Sequence, residues 1–320
     1  MTTVNAMQLR VQDYLDERRR LGHDLGVAGS RLLAFAHFAD NAGHKGPLTL
    51  QLVVDWAQGQ ATRATPITWA RRLEIIRPFA KFCAQDDPGT AIPSTDLFGR
   101  GHRRLTPHIY TDEEVAELLA AAGRLPPPGS LRPLTYQTLF GLIAASGLRL
   151  SEALNLRCID FDTAQSRLTI RETKFRKSRH VPLHPTATAV LEQYRQQRDQ
   201  RFGSAATDHF FATRLGTGLA KSTVHGVFQQ LRKALGWIAR GDHAAPRIHD
   251  LRHTFICKRV LLWQRDGVDI GHAMIALATY VGHAGVSHTY WYLTGVPDLM
   301  AVAGDRFERY ASRTKEAGDA

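Results

Sequence analysis

Hydrophobic positions along the chain follow helical spacing, lapse, and resume with one short extended interruption. In the first hundred residues, Met7, Val11, Tyr14 and Leu15 fall on one face of a first helix, with Arg18, Arg19 and Arg20 just beyond it. Ser30 is placed to cap a second helix carrying Leu32, Leu33, Phe35 and Phe38, and Thr49 a third carrying Leu50, Val53, Val54 and Ala57. The clearest stripe is the fourth, where Trp69, Leu73, Ile76, Ala80 and Cys83 step by four and three, with Pro78 inside it. Arg71, Arg72, Arg77 and Lys81 lie off that stripe and predict a basic outer face.

From Asp86 to Thr111 the periodicity disappears into a stretch rich in Pro, Gly, Ser and Thr that carries Arg100, Arg103 and Arg104. That composition reads as a linker. Thr111 followed by Asp112, Glu113 and Glu114 then predicts a capped, acidic helix start, with Val115, Leu118 and Leu119 as its apolar face. A helix with Leu134, Tyr136, Phe140 and Ile143 ends at Ser146-Gly147, and Ser151 is placed to cap the next, so Arg149 falls in a tight turn. In RLTIRETKFRKSRHVPL, Leu168 and Ile170 alternate on one arm and Val181 and Leu183 on the other, which predicts a β-hairpin with a basic tip. Pro185 opens a helix through Leu191 and Tyr194, Ser222 caps another through Val224, Phe228 and Leu231, and the remainder reads as helical to Tyr310. The expected organisation is an all-α domain over 1–87, a basic linker over 88–110, an α+β domain over 111–311 and a frayed tail over 312–320. The fold class is mainly α with a small β-sheet.

The 320 residues suffice for two domains with real cores. Lys and Arg number 41 against 30 Asp and Glu, an excess of +11 that favours a polyanionic partner over a neutral metabolite. Cys83, Cys158 and Cys257 form no C-x-x-C pair, which argues against a disulfide scaffold or a thiolate zinc site. The opening MTTVNAMQLR lacks the basic-then-apolar pattern of a secretory signal, and no apolar run approaches membrane-spanning length. These features lead to the expectation of a soluble cytoplasmic protein.

Six polar residues sit where helix ends or the hairpin would present them. They are Arg149, Lys174 on the hairpin tip, His249 and Arg252 one helical turn apart in HDLRHTF, His283, and Tyr292 nine residues later. Glu152 lies three residues beyond Arg149, on the same helical face. Taken singly, each has an ordinary explanation as a cap, ion pair or core residue. As a set they match metal-free transesterification at a phosphodiester. Two guanidinium forks can neutralise charge building on phosphorus, a phenol can serve as nucleophile, an ammonium can protonate a departing oxygen, and imidazole can shuttle the proton.

With these residues in view, the chain resembles the tyrosine recombinases, or phage integrases. GLRLSEALNL looks like their first arginine box, ETKFRKSRHVPL their hairpin lysine box, HDLRHTF their H-x-x-R box, and YVGHAGVSHTYWYL their final histidine and tyrosine box. The four boxes come in family order over about residues 110 to 311, and the N-terminal helices are similar to the family's core-binding (SAM-like) domain. The resemblance implies that Arg149, Lys174, His249, Arg252 and His283 surround the phosphate, that Tyr292 attacks it, and that Glu152 supports them. It implies cutting and rejoining of DNA through a 3′-phosphotyrosyl intermediate and a Holliday junction, with no metal, ATP or other cofactor. The implied partner is double-stranded DNA with an inverted-repeat core site, bound by a homotetramer as a dimer per site, and the implied context is integration, excision or transposition of a mobile element. Arg71, Arg72, Arg103, Arg104, Arg176, Lys177, Arg179 and Lys221 are the expected DNA contacts.

Alternatives remain at this point. Tyr290 competes with Tyr292, Lys177 with Lys174, and His272 with His283, because the stretch between Arg252 and His283 is long for compact members of the family. His249 and His253, four apart on one helical face, also permit a zinc hydrolase. A non-catalytic DNA-binding protein of the same fold and a type IB topoisomerase are the other rivals.

Overall fold

The computed structural model describes residues 6–59, 65–99, 101, 104–171, 178–203 and 207–295, without the side chains of 293–295. The chain divides into two compact units, Met1–Arg104 and Leu105–Ala320. The expected helix over 297–310 and the tail over 312–320 lie outside the described residues.

The first unit packs four helices, α1 (Ala6–Arg20), α2 (Gly26–Asn41), α3 (Leu50–Gly59) and α4 (Pro66–Asp86). Met7, Val11, Tyr14 and Leu15 are the buried residues of α1, and they meet Leu32 and Phe35 from α2, Val53 and Trp56 from α3, and Leu73, Ile76 and Phe79 from α4. Phe35 packs edge-on against Trp56 with ring centroids 5.4 Å apart. Thr49 caps α3 as its side chain suggests, accepting the Leu52 N–H at 3.2 Å. Two local expectations change. Helix α2 begins a turn before Ser30, whose hydroxyl bonds back to the Gly26 carbonyl inside the helix. Leu50 is exposed, while Leu52 turns inward. The Pro- and Gly-rich stretch after α4 is also held against this unit. The Ala91 N–H donates to the Leu48 carbonyl at 2.7 Å, and Arg77 donates to the carbonyls of Pro93 and Ser94.

The second unit runs α5 (Asp112–Ala122), α6 (Arg132–Ser146), α7 (Leu150–Leu154), a 3₁₀ turn (Cys158–Asp160), β1 (Phe161–Asp162), β2 (Arg167–Ile170), β3 (Arg179–Pro182), α8 (Pro185–Phe202), α9 (Lys221–Ala234), α10 (Ile248–Arg265), α11 (Ile270–Val281) and α12 (Ser287–Gly295). Thr111 and Glu114 close a capping box at the start of α5. The strands pair antiparallel in the order β1-β2-β3, and Leu168 faces Val181, so the alternating apolar residues of both hairpin arms reach one core. There they join Leu139, Phe140 and Ile143 of α6, Tyr194 of α8 and Phe228 of α9. A smaller cluster of Ile256, Cys257, Val260, Met274, Leu277, Val281 and Tyr292 binds α10, α11 and α12 together. Helix α9 starts at Lys221 behind Ala220, so Ser222 lies within its first turn rather than at the cap. The three cysteines are free thiols. Among the described residues, no helix is long and apolar enough to cross a membrane.

Gly147 sets the turn that brings α7 back towards α10. It ends α6 in the left-handed region at φ 65°, and a Cβ there would lie 2.5 Å from Phe255 Cδ1. Gly147→Ala is therefore expected to cost at least about 2 kcal/mol, from the left-handed penalty and the steric conflict together. Denaturant unfolding checks this against an exposed Gly→Ala control.

Candidate active site

Helix ends build the site. Arg149 is the N-cap of α7, a role the spacing had given to Ser151, which is inside the helix. Its backbone N–H donates to Glu152 Oε2 at 3.0 Å, its Nη1 to Glu152 Oε1 at 2.7 Å, and its Nη2 to the Gly282 carbonyl at 2.7 Å. Arg252, on α10 and 1% exposed, donates to the carbonyls of Gly147 and Val281, both at 2.7 Å. The last carbonyls of a helix have no partner within it. The ends of α6 and α11 thus aim the two guanidiniums. Gly282 terminates α11 at φ 69°, and a Cβ there would lie 2.6 Å from Arg179 Nη1.

Glu152 is the carboxylate of this group. Burial pushes its carboxyl group up, but hydrogen bonds and charge from Arg179, then the backbone and charge of Arg149, hold it below the ordinary carboxylate range. Arg179 reaches it with Nη1 at 3.1 Å and Nη2 at 2.9 Å, a bidentate fork. Two guanidiniums therefore pair with this carboxylate, and Arg252 feels its charge. Burial first, and then the charge of Arg149, lower Arg252 to about 10. Burial, followed by Arg252 and Arg149, brings His283 down to about 3 and keeps it neutral at pH 7. Its Nδ1 lies 2.7 Å from Thr289 Oγ1. His249 opens to solvent, yet the protein packed around it, and then Arg252 and Arg247, lower it as well. The neutral imidazoles leave two positive charges in excess, a setting complementary to a phosphodiester.

Tyr292 on α12 is 3% exposed, and its Oη lies 2.6 Å from His253 Nδ1. Its ring runs nearly parallel to that of His283, with centroids 6.3 Å apart. Tyr290 is 40% exposed on the same helix. His272 pairs with Asp269 at the exposed start of α11. The structure thus gathers Arg149, Glu152, His249, Arg252, His283 and Tyr292, and leaves Tyr290 and His272 on the surface.

Among the expected DNA contacts, Arg71, Arg104 and Lys221 are exposed, with Arg71 Nε donating to the Gly101 carbonyl at 2.9 Å. Two others turn inward. Arg72 is 6% exposed and donates to the carbonyls of Trp56 and Ala57, with its guanidinium over the Trp56 ring. Arg179 is committed to Glu152 and to the Tyr280 carbonyl. Arg103, Lys174, Arg176 and Lys177 lie outside the described residues. The rings of His249 and His253 meet edge-on at 4.7 Å, but among the described residues no group of three or more His, Cys, Asp or Glu side chains is placed to hold a metal ion.

Residues 109–295 match the model of the phage integrase family. The chain belongs to that family. It is 40% identical to a putative integrase/recombinase, y4rB, of Sinorhizobium fredii, over 93% of this chain and 96% of the relative. The tyrosine recombinase XerC of Chlamydia trachomatis is 30% identical over 70% of this chain and 66% of its own. Among solved structures, the XerH site-specific recombinase bound to a palindromic difH substrate superposes with a TM-score of 0.64 at 17% identity, covering 88% of this chain and 79% of that one. A lambda integrase dimer bound to a core site gives 0.60 at 14% identity, covering 90% and 97%. The protein is accordingly a tyrosine-type site-specific recombinase with a mostly helical fold and a small antiparallel sheet.

Sequence reasoning missed two parts of this recombinase's site. On the sequence Arg179 belongs with the basic hairpin surface, yet as the first residue of β3 it holds Glu152 in a bidentate fork. His253 had a signal, its i,i+4 relation to His249, but that spacing was assigned to a metal rather than to the tyrosine.

Glu152 gives a prediction with a defined sign. Its carboxyl is depressed in the folded chain, so its contribution is complete above the ordinary carboxylate value of about 4.3 and is lost as pH falls through the lower folded value. Glu152→Gln is expected to lose about 3 kcal/mol at pH 7, because buried guanidiniums are left without their anion. The gap to the parent should narrow on acidification below about pH 4. Paired thermal melts at pH 7 and pH 3.5 measure it.

Proposed function

We propose that this recombinase cuts and rejoins DNA through Tyr292. The observation that carries the reading is the excess of two positive charges around Arg149, Arg179 and Arg252, with the buried Tyr292 phenol beside them. Arg149 and Arg252 clamp the non-bridging oxygens of the scissile phosphate and neutralise the charge that builds on phosphorus. The Tyr292 oxygen forms a bond to phosphorus, giving a 3′-phosphotyrosyl ester, as the bond to the 5′ oxygen breaks. Lys174 protonates that departing oxygen. His249 and His283 complete the proton and hydrogen-bond network, and Glu152 holds Arg149 in place. A 5′-hydroxyl from a partner duplex then reverses the step through a Holliday junction. Because the ester conserves the bond energy, neither ATP nor a metal enters the balance.

The substrate is double-stranded DNA with an inverted-repeat core site, one dimer to a site and a tetramer to the recombining pair. The DNA-bound XerH and lambda integrase structures support that partner. Arg71, Arg104 and Lys221, together with Arg103, Arg176 and Lys177, supply phosphate contacts, so affinity falls steeply with salt. The cellular role is recombination of a mobile element in the cytoplasm.

The test is a suicide substrate nicked beside the cleavage point, incubated with the full chain in EDTA. The expected product is a denaturant-resistant protein–DNA adduct, with nucleotide mapped to Tyr292. An adduct that requires divalent ions, or that maps elsewhere, overturns the reading.

A further inference from the structure

The proposed chemistry leaves one contact of the nucleophile unused. Tyr292 is hydrogen-bonded to an imidazole that the proposed chemistry gives no role. Its Oη lies 2.6 Å from Nδ1 of His253, the residue that follows Arg252 on α10. The two rings sit 5.4 Å apart and tilted by 49°, so the contact runs along the edge of the imidazole. His253 is itself fixed on two further sides. The His249 ring meets it edge-on at 4.7 Å, and Trp291 does so at 6.4 Å. Helix α10 anchors its backbone one residue from a guanidinium bonded to two carbonyls. A side chain held so firmly can fix the rotamer of whatever it binds.

We infer that His253 is a positioning residue for strand cleavage, accepting the Tyr292 O–H at Nδ1 and holding the phenol oxygen beside the arginine pair. This rests on Tyr292 being the nucleophile. Burial first, and then His249, Arg247 and Arg252, keep the His253 ring neutral, and in the tautomer protonated at Nε2 its Nδ1 accepts the phenol O–H. His249 and His283 then remain available for the phosphate, and the nucleophile has its own imidazole.

The test uses the two amides that each reproduce one ring nitrogen. An Asn at 253 places its amide near Nδ1, whereas a Gln places it near Nε2. Single-turnover adduct formation on the nicked substrate is expected to stay within about tenfold of the parent in His253→Asn and to fall about 100-fold in His253→Gln, the scale expected when a reacting atom is misplaced by about an ångström. DNA affinity should be unchanged in both. A readout independent of activity is the ¹⁹F resonance of 3-fluorotyrosine incorporated at position 292, which should move in His253→Gln and not in His253→Asn. Equal rates in the two variants, or an unmoved resonance in His253→Gln, overturn the inference. If the parent itself forms no adduct at Tyr292, it is the cleavage reading that fails, while the resonance still reports on the contact.

Discussion

Tyr292→Phe is expected to abolish covalent capture of DNA while leaving DNA affinity unchanged. The substitution removes one oxygen from a side chain that is 3% exposed. Its packing against Ile256, Val260, Leu277 and Val281 survives. The lost hydrogen bond to His253 costs about 1 kcal/mol of stability, so the chain remains folded. The chemical effect is of another order, because the substitution removes the oxygen that forms the ester. Affinity is spread over many basic residues, whereas the transition state depends on this one atom. Tyr290→Phe supplies the control. Tyr290 is exposed, and its variant should form adduct at the parental rate. Denaturing gels of protein mixed with a nicked duplex, beside filter binding of the intact duplex, separate the two effects. Adduct in Tyr292→Phe would remove the nucleophile from the mechanism.

The periodic parts of the fold were legible because burial and spacing obey one geometry. All four residues assigned to the first stripe are the buried residues of α1, and the alternating arms of the hairpin pair Leu168 with Val181. Starts of helices were less legible. Ser30, Ser151 and Ser222 each have the chemistry of a cap, yet α2, α7 and α9 begin elsewhere, because tertiary packing chooses which turn is first. The site divided along the same line. Arg149, Arg252, His283 and Tyr292 could be named from their boxes, and the structure gathers them. What the boxes do not encode is the set of main-chain acceptors that aims the arginines. The Gly147, Val281 and Gly282 carbonyls carry no side-chain signature, and they come together only when α6 and α11 end beside α10. Arg72 and Arg179 misled for a related reason. An arginine off the apolar stripe, or on a hairpin, reads as solvated until a carbonyl or carboxylate is found within its reach.

Arg252→Ala is expected to cut strand cleavage severely while leaving the chain folded. The guanidinium contributes in two opposing ways to the folded chain. It satisfies two buried carbonyls at 2.7 Å, and leaving these without partners costs about 1–3 kcal/mol each. Against this, burial and the charge of Arg149 lower it to about 10 from an ordinary 12.5, an electrostatic cost of about 3 kcal/mol that the substitution removes. The relief offsets part of that loss, but the cavity left by one of the largest fully buried side chains adds to it, so a net destabilisation of about 2–4 kcal/mol is expected. Cleavage has no such compensation. Glu152 offsets part of the repulsion among Arg149, Arg179 and Arg252, and a phosphate relieves the rest, most as charge builds on the phosphoryl oxygens. Removing a preorganised donor of this kind costs about 10²–10³-fold in rate. Arg252→Lys should recover little, because one ammonium cannot reach both carbonyls and present a fork to the phosphate at once. Calorimetry and single-turnover cleavage on the same preparations give both numbers. A large stability loss with near-normal cleavage would show that Arg252 serves the fold rather than the phosphate, and the charge argument for the site would go with it.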